Sequence, residues 1–133
     1  MAKGTTTFDP RPEDPNGVPT VSTRNRVDRI HALPGAADPY STADVDVRYR
    51  GSSQSYGPDG AYIDTGDRRG RDIHGGGSCP ATEYGDPIDS QQGWCPTMGC
   101  TRGQNQDVLD LAKRIQEFKT NHPGVLIPYS RSN

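Results

Sequence analysis

Two residues of this chain, His74 and Cys100, carry side chains that together can do covalent chemistry. A thiol is a poor nucleophile near neutral pH until a neighbour lowers its pKa or removes its proton, and an imidazole can do either. Both residues adjoin glycine, since His74 precedes Gly75 and Cys100 follows Gly99. Backbone amides in the turn Met98-Gly99-Cys100 can also face a developing oxyanion, which acyl transfer requires. These residue types fit a cysteine nucleophile with a histidine base.

The same residues also fit a structural role, in which Cys100 is buried or disulfide-bonded and His74 is a turn histidine. The three cysteines, Cys79, Cys95 and Cys100, are an odd number, so at least one stays outside any intrachain disulfide. A disulfide between Cys79 and Cys95 would close the loop before Cys100, and two unpaired thiols are the alternative. A zinc site is a third alternative, although no Cys-x-x-Cys pair is present. We therefore expect no metal and no cofactor.

The elements that must position these residues predict a mainly β fold with one substantial helix. The chain has 133 residues, of which only 29% are hydrophobic, with 16 glycines and 12 prolines, which favours one small, loop-rich domain. Residues 1–17 are polar and contain three prolines, so we expect a flexible arm there. The single domain is then expected to occupy residues 18–133.

Short β-branched or alternating runs predict strands, and one run predicts a helix. The strands are expected at Val18–Thr23, Arg26–Ile30, Asp44–Arg50, Ala61–Asp64, Arg71–His74 and, buried at the end of the chain, Val125–Ile127. A charged turn at Asp67–Gly70 leads into the strand that ends at His74. Apolar residues from Val108 to Phe118 recur at helical spacing, with Asn105 or Asp107 as the cap. Residues 75–99 form a long loop of the kind that is usually functional.

The order of these motifs resembles the YkuD-type L,D-transpeptidase catalytic domain. The resemblance lies in Ile73-His74-Gly75-Gly76, then Thr97-Met98-Gly99-Cys100-Thr101-Arg102, then the helix around Asp107-Val108-Leu109-Asp110-Leu111, and finally Gly124-Val125-Leu126-Ile127. Upstream, Pro58-Asp59-Gly60-Ala61-Tyr62 is similar to the family's turn before an aromatic strand residue. It covers roughly residues 57 to 127. The implied fold is a small L,D-transpeptidase-like β-sandwich or barrel.

The resemblance also implies roles for individual residues. Cys100 would be the nucleophile and His74, followed by Gly75, its base. The amides of Gly99 and Cys100 would line the oxyanion hole. The expected substrate-binding residues are Arg102, Thr97, Trp94 and Tyr62. The chain departs from the family at Met98, where many members have a second histidine, at Thr101, which replaces an apolar residue, and in its longer loop with two further cysteines.

The function that the resemblance implies is modification of peptidoglycan stem peptides. Such an enzyme attacks the carbonyl of meso-diaminopimelate, releases the terminal D-alanine, and passes the acyl group to water or to an amine. A second hypothesis is a papain-like peptidoglycan amidase or endopeptidase, in which the base would follow Cys100 in sequence and would be His122. A third is a non-enzymatic binding module stabilised by disulfides.

Charge and hydropathy limit the partners. With 15 basic and 17 acidic residues the formal net charge is -2, so we expect no nucleic-acid partner. The amino terminus lacks the apolar run of a secretory signal, and no stretch has the length of a membrane span. We therefore expect synthesis in the cytoplasm and action in the periplasm or cell wall, as for an antibacterial effector of a contact-dependent system such as type VI secretion. That hypothesis implies a cognate immunity protein and a component of the secretion apparatus as partners.

Overall fold

The computed structural model describes residues 2–9, 20–27, 39–52, 56–57, 60–76 and 100–132. Within these ranges the chain forms eight strands and one helix. They are β1 (Ala2–Asp9), β2 (Thr20–Val27), β3 (Tyr40–Thr42), β4 (Asp46–Tyr49), β5 (Ala61–Asp64), β6 (Ile73–His74), β7 (Thr101–Arg102), α1 (Asn105–Asn121) and β8 (Tyr129–Ser132). The fold is mainly β with one substantial helix, as the composition and periodicity predict.

The strands form two four-stranded sheets. The first has the order β1-β2-β8-β3, in which β2 and β8 are parallel and the other neighbours antiparallel. The second has the order β4-β5-β6-β7, antiparallel except for the last pair, β6 and β7. A parallel pair requires a long connection. The chain between β6 and β7 includes residues 75–99, for which the sequence predicts a long loop, and residues 77–99 lie outside the described residues.

One hydrophobic core joins the two sheets and the helix. Its fully buried members include Val21 of β2, Ile63 of β5, Ile73 of β6 and Ile115 of α1, each 0% exposed. Burying side chains of this size stabilises the fold by about 1.5–3 kcal/mol each. The core therefore fixes β5 and β6, the strands nearest the candidate site, against the helix.

The helix buries the apolar stripe that the sequence predicts, with Val108, Leu111, Ala112 and Ile115 facing the core. Its predicted cap is wrong, because Gln104 occupies the N-cap position and makes no side-chain capping bond. Asn105 instead directs its side-chain oxygen at the backbone N–H of Gly76, 2.6 Å away. Across the described part of the chain, no helix combines the length and the hydropathy that crossing a bilayer requires.

The last strand lies later in the chain than the sequence predicts. Val125–Ile127 is not a strand; β8 begins at Tyr129, and Leu126 is 56% exposed. The Asp44 carboxylate holds this segment, because it accepts the N–H of Ile127 at 2.8 Å and pairs with Lys119 of α1 at 2.8 Å. The inward side of β8 contains a buried arginine, Arg131, which conceals the period-two pattern from a hydrophobicity-based prediction.

The first third of the chain also differs from its prediction. Ala2–Asp9, within the region where composition predicts a flexible arm, pairs along its whole length with β2. Its β-branched residues, Thr5-Thr6-Thr7, favour extended structure despite the prolines that follow. The two strands predicted at Val18–Thr23 and Arg26–Ile30 merge in one strand, β2. Residues 10–19 and 28–38 lie outside the described residues, and the domain boundary at 17/18 stays a prediction.

Candidate active site

The parallel pair β6 and β7 brings the sequence-predicted histidine and arginine together. His74 lies directly opposite Arg102 in the register, and Ile73 lies opposite Thr101. The ladder continues beyond the two strands, since Gly103 donates its N–H to the carbonyl oxygen of His74 at 3.0 Å. Because side chains alternate between the faces of a sheet, His74 and Arg102 share one face while Ile73 enters the core on the other.

The same face carries one side chain from each strand of the second sheet. The register places them in a row across the sheet, which we call the histidine row: Arg48 of β4, Tyr62 of β5, His74 of β6 and Arg102 of β7. Exposure falls along this row, from 55% for the Arg48 side chain to 6% for His74 and 4% for Arg102. The row therefore runs from solvent at β4 to a buried end at β7, and Tyr62 lies beside the candidate base.

Cys100 lies directly before β7. Thr101 donates its backbone N–H to the carbonyl oxygen of Asp72 at 2.9 Å, and the Cys100 thiol interacts with both the backbone amide and the carboxylate of Asp72. Asp64 pairs with Asp46 in the register, and its charge acts on Asp72. We call this set, Asp46, Asp64, Asp72 and Cys100, the acidic row. Cys100 therefore lies beside the residue that comes two positions before His74.

The hydrogen bond of His74 defines its tautomer. The ring nitrogen Nδ1 lies 2.7 Å from the carbonyl oxygen of Gly75, and a carbonyl oxygen can only accept a hydrogen bond. Nδ1 therefore carries the proton, which leaves Nε2 of the neutral ring as the acceptor. This is the tautomer that a general base requires. The Gly75 carbonyl can orient the ring as an aspartate or asparagine side chain does in cysteine and serine proteases.

The surroundings of Cys100 favour its protonated form. Burial raises the pKa of the Cys100 thiol above its ordinary value, and the Asp72 carboxylate raises it further. The Asp72 backbone amide and the guanidinium groups of Arg131 and Arg102 act in the opposite direction and only partly offset these effects. The S–H group donates to the carbonyl oxygen of Gly70 at 3.7 Å. At neutral pH the residue is therefore a thiol that requires a base.

Asp72, which sequence reasoning did not single out, is the acid nearest this thiol. Burial raises its pKa to about 6, and the charges of Asp64 and Asp67 raise it further. Its carboxylate accepts the backbone N–H of Thr65 at 3.4 Å, which lowers the pKa in part. The carboxyl group beside the thiol therefore has a pKa of about 6.

The turn before β6 holds Asp72 in this position. The Asp67 carboxylate accepts two hydrogen bonds from the Arg71 guanidinium, at 2.9 and 3.1 Å, and these bonds are the main cause of its lowered pKa. The guanidinium carbon of Arg71 also lies 4.2 Å from the ring centroid of Tyr40. Although it follows a charged turn, Arg71 is buried, because its guanidinium lies between the Asp67 carboxylate and the Tyr40 ring of the first sheet.

Arg102 lies at the buried end of the histidine row. It donates from Nη1 to the carbonyl oxygen of Gly76 at 2.7 Å. Desolvation lowers its pKa to about 10, so it stays charged at neutral pH. Among the described residues its buried Nε atom has no hydrogen-bond partner. A buried guanidinium of this kind can hold the backbone after His74 and attract a carboxylate.

Asn105 and Arg102 together fix the two glycines that follow His74. Gly76 donates its N–H to the Asn105 side-chain oxygen and accepts from Arg102 through its carbonyl. A Cβ atom added at Gly75 would overlap that same Asn105 oxygen. The lack of a side chain at Gly75 therefore allows the close approach of Asn105. The segment that carries the base is therefore clamped from both sides.

An aromatic residue that sequence reasoning missed covers the candidate base. The rings of Tyr56 and His74 lie with centroids 4.5 Å apart, tilted by 48°, and the Tyr56 and Tyr62 centroids are 5.3 Å apart. The Arg50 guanidinium carbon lies 4.8 Å from the Tyr56 centroid. Tyr56 also borders a shallow depression with an empty volume of about 200 Å³, lined further by Gly60, Ala61, Gly75, Asn105, Val108 and Leu109.

Not every predicted site residue falls within the described ranges. The structure places Tyr62, His74 and Arg102 side by side across the second sheet, with Gly75 after His74 and with Cys100 beside Asp72. Thr97, Trp94 and Gly99, and the cysteines Cys79 and Cys95 with their predicted disulfide, lie outside the described residues. The sequence predicts Asn105 only as a possible helix cap, and it gives Tyr56 no role in the site. Their contacts depend on chain segments far apart in sequence, so no local pattern points to them.

No family model, no curated protein and no solved structure matches this chain. Within the described ranges, no three His, Cys, Asp or Glu side chains lie close enough to hold a metal ion. The function is therefore argued from the site alone.

Proposed function

We propose that this chain is a cysteine acyltransferase of the L,D-transpeptidase type that modifies peptidoglycan stem peptides. The observation that carries the proposal is the pairing of β6 with β7, which sets His74 opposite Arg102 and Cys100, two residues before Arg102, beside Asp72. We take the substrate class, a meso-diaminopimelate residue followed by D-alanine, from the resemblance in motif order to the L,D-transpeptidase domain. We expect L,D-carboxypeptidase action or exchange of the terminal D-amino acid.

The proposed mechanism begins with a neutral thiol and a neutral imidazole. The raised thiol pKa and the Nδ1-protonated ring both support this starting state. His74 Nε2 takes the Cys100 proton as sulfur attacks the substrate carbonyl carbon, forming the C–S bond and an oxyanion. The imidazolium then protonates the leaving D-alanine nitrogen as the C–N bond breaks, which leaves a thioester. Water or an amine attacks the thioester carbonyl carbon while His74 accepts the proton of that nucleophile. The C–S bond then breaks, the product is released, and His74 returns the proton to the Cys100 sulfur.

Arg102 supports binding rather than proton transfer in this proposal. Its lowered pKa still lies well above neutrality, so it offers a positive charge and not a base. The unpartnered Nε and the small exposed fraction both strengthen attraction to a carboxylate in that position. A stem peptide provides such a group in its terminal carboxylate or in the side chain of meso-diaminopimelate.

The papain-like alternative has less support. It requires His122 as the base, and His122 follows the end of α1, stacked on Phe118 at 4.4 Å. The helix has 17 residues, and a helix of that size is about 25 Å long. Because Cys100 precedes the opposite end of the helix, His122 lies far from the thiol.

Digestion of purified peptidoglycan tests the proposal. Wild-type protein and the variant Cys100→Ala are incubated with sacculi, and the released stem peptides are analysed by mass spectrometry. We expect tetrapeptide stems to shorten to tripeptides, or to exchange their terminal D-alanine when a D-amino acid is added, with wild type only. Unchanged stems in all reactions would refute the proposal.

Two histidine variants separate the enzyme hypotheses. His74→Ala is expected to abolish activity, while His122→Ala, which removes only the stack on Phe118, is expected to retain it. The opposite result would favour the papain-like arrangement. Modification of Cys100 by iodoacetamide, followed by peptide mapping, provides a readout that requires no peptidoglycan: failure of folded protein to react would favour a structural cysteine.

A further inference from the structure

The contact between Tyr56 and His74 joins two segments that are 18 positions apart in the sequence. The ring separation of 4.5 Å is within the range in which an aromatic face attracts a cation. Tyr56 in turn packs on Tyr62, the register partner of His74 in β5. The imidazole is therefore enclosed between a strand neighbour and a residue that precedes β5 by a few positions.

Several charged or titratable groups belong to the elements around this imidazole. They are Arg102 on β7, Tyr62 on β5, Asp72 and Cys100 in the acidic row, and Arg50 across the Tyr56 ring. The two guanidinium groups are positive and therefore disfavour a positive charge on His74. The Asp72 carboxylate and the faces of the tyrosine rings favour that charge.

We propose that Tyr56 is a positioning residue for His74: its ring holds the imidazole against β6 and stabilises the imidazolium that forms when the Cys100 proton is accepted. This inference rests on the proposed function for its catalytic consequence. The orientation and charge effects are properties of the free protein, and they can be measured without substrate.

The Gly75 hydrogen bond alone does not fix the ring completely. It fixes Nδ1, yet the plane of the imidazole can still rotate about that bond. The tilted contact with Tyr56, at 48°, limits this rotation. A base held in this way keeps Nε2 in a fixed direction relative to β6. Loss of the ring should therefore affect both the charge equilibrium and the rate of proton transfer.

The test is an NMR titration of the histidine C2–H signals in full-length protein. The chain has three histidines, so the His74 signal can be assigned with His74→Gln. We expect Tyr56→Leu to move the His74 midpoint to lower pH and Tyr56→Phe to keep it near that of wild type. Tyr49→Leu, which removes a tyrosine that is 58% exposed, is the matched control and should leave the midpoint in place.

A variant that preserves packing protects the test from a folding defect. Pentafluorophenylalanine at position 56 keeps an aromatic ring there while reversing the charge distribution of its face, so the midpoint should fall as with Tyr56→Leu. A His74 midpoint that is the same in wild type, Tyr56→Leu and the fluorinated protein would overturn the inference.

Activity provides an independent readout. If stem peptides are cleaved, the acid limb of the kcat/KM profile should move to lower pH in Tyr56→Leu, with a reduced plateau, and Tyr56→Phe should restore both. If no variant, wild type included, cleaves stem peptides, the proposed function fails while the titration still decides the role of Tyr56.

Discussion

Replacing Asp72 by asparagine should stabilise the protein at pH 7 but not at pH 4. The pKa of Asp72 is raised to about 6, chiefly by burial. A carboxyl group with a raised folded-state pKa binds its proton more tightly in the folded protein than in the unfolded chain. The wild type therefore loses stability as the pH rises from about 4, the unfolded pKa, to about 6. Asparagine removes this loss and keeps an acceptor for the N–H of Thr65.

The size of the effect follows from the two pKa values. A folded pKa of about 6 against an unfolded value of about 3.9 differs by about 2 units, which corresponds to at most about 3 kcal/mol. Asp72 is only partly buried, so solvent screening reduces the expected gain to about 1 kcal/mol. The same substitution removes a negative charge beside Cys100, which should lower the thiol pKa and speed alkylation at pH 7.

Urea denaturation at pH 4 and pH 7 measures the first effect, and the rate of iodoacetamide labelling between pH 6 and 9 measures the second. Asp46→Asn is the matched control, since it removes an acid of the same row whose side chain is 52% exposed, and should give a smaller difference between the two pH values. The reasoning would be refuted if the stability change from Asp72→Asn were equal at pH 4 and pH 7, or if Cys100 labelling became slower.

Four further substitutions test the parts of the structure that hold the site. Asn105→Ala should lower the free energy of unfolding by about 1–3 kcal/mol, because it removes the side-chain oxygen that accepts the buried N–H of Gly76. Gly75→Ala should also destabilise, and the double variant should lose less than the sum because Asn105→Ala removes the overlapped atom. Ile115→Ala should cost about 2–5 kcal/mol, seen as a lower urea midpoint. Arg71→Gln should destabilise more at pH 6 than at pH 2.5, because the lowered pKa of Asp67 contributes stability only above its folded pKa.

Matched surface variants complete these measurements. Gln106→Ala, whose side chain bonds Asp110 on the exposed face of α1, should cost at most about 0.5 kcal/mol. Leu126→Ala, at a position that is 56% exposed, should change stability by no more than about 0.5 kcal/mol. Equal losses for Asn105→Ala and Gln106→Ala, or for Ile115→Ala and Leu126→Ala, would contradict the assigned contacts. Additive losses in the double variant Gly75→Ala/Asn105→Ala would contradict the close approach of Asn105 to Gly75.

Local patterns were sufficient for several elements of the fold. Apolar spacing from Val108 to Phe118 predicted the helix, and the alternation around Ala61–Asp64 predicted β5, because each pattern reflects one face packed on a core. The end of the chain was not predictable in this way. An aspartate at position 44, far away in sequence, holds Ile127 and displaces the last strand to Tyr129–Ser132.

For the candidate site, the sequence by itself determined the chemical groups: a thiol at Cys100, an imidazole at His74 and a guanidinium at Arg102. Only the tertiary structure decided that β6 and β7 pair in parallel, which places the imidazole and the guanidinium on one face and the thiol beside Asp72. It also decided the protonation of the groups, because burial and the Asp72 carboxylate raise the thiol pKa and the Gly75 carbonyl selects the histidine tautomer. Desolvation, strand register and contacts such as Tyr56 with His74 arise between distant segments, so no spacing of residues along the chain specifies them.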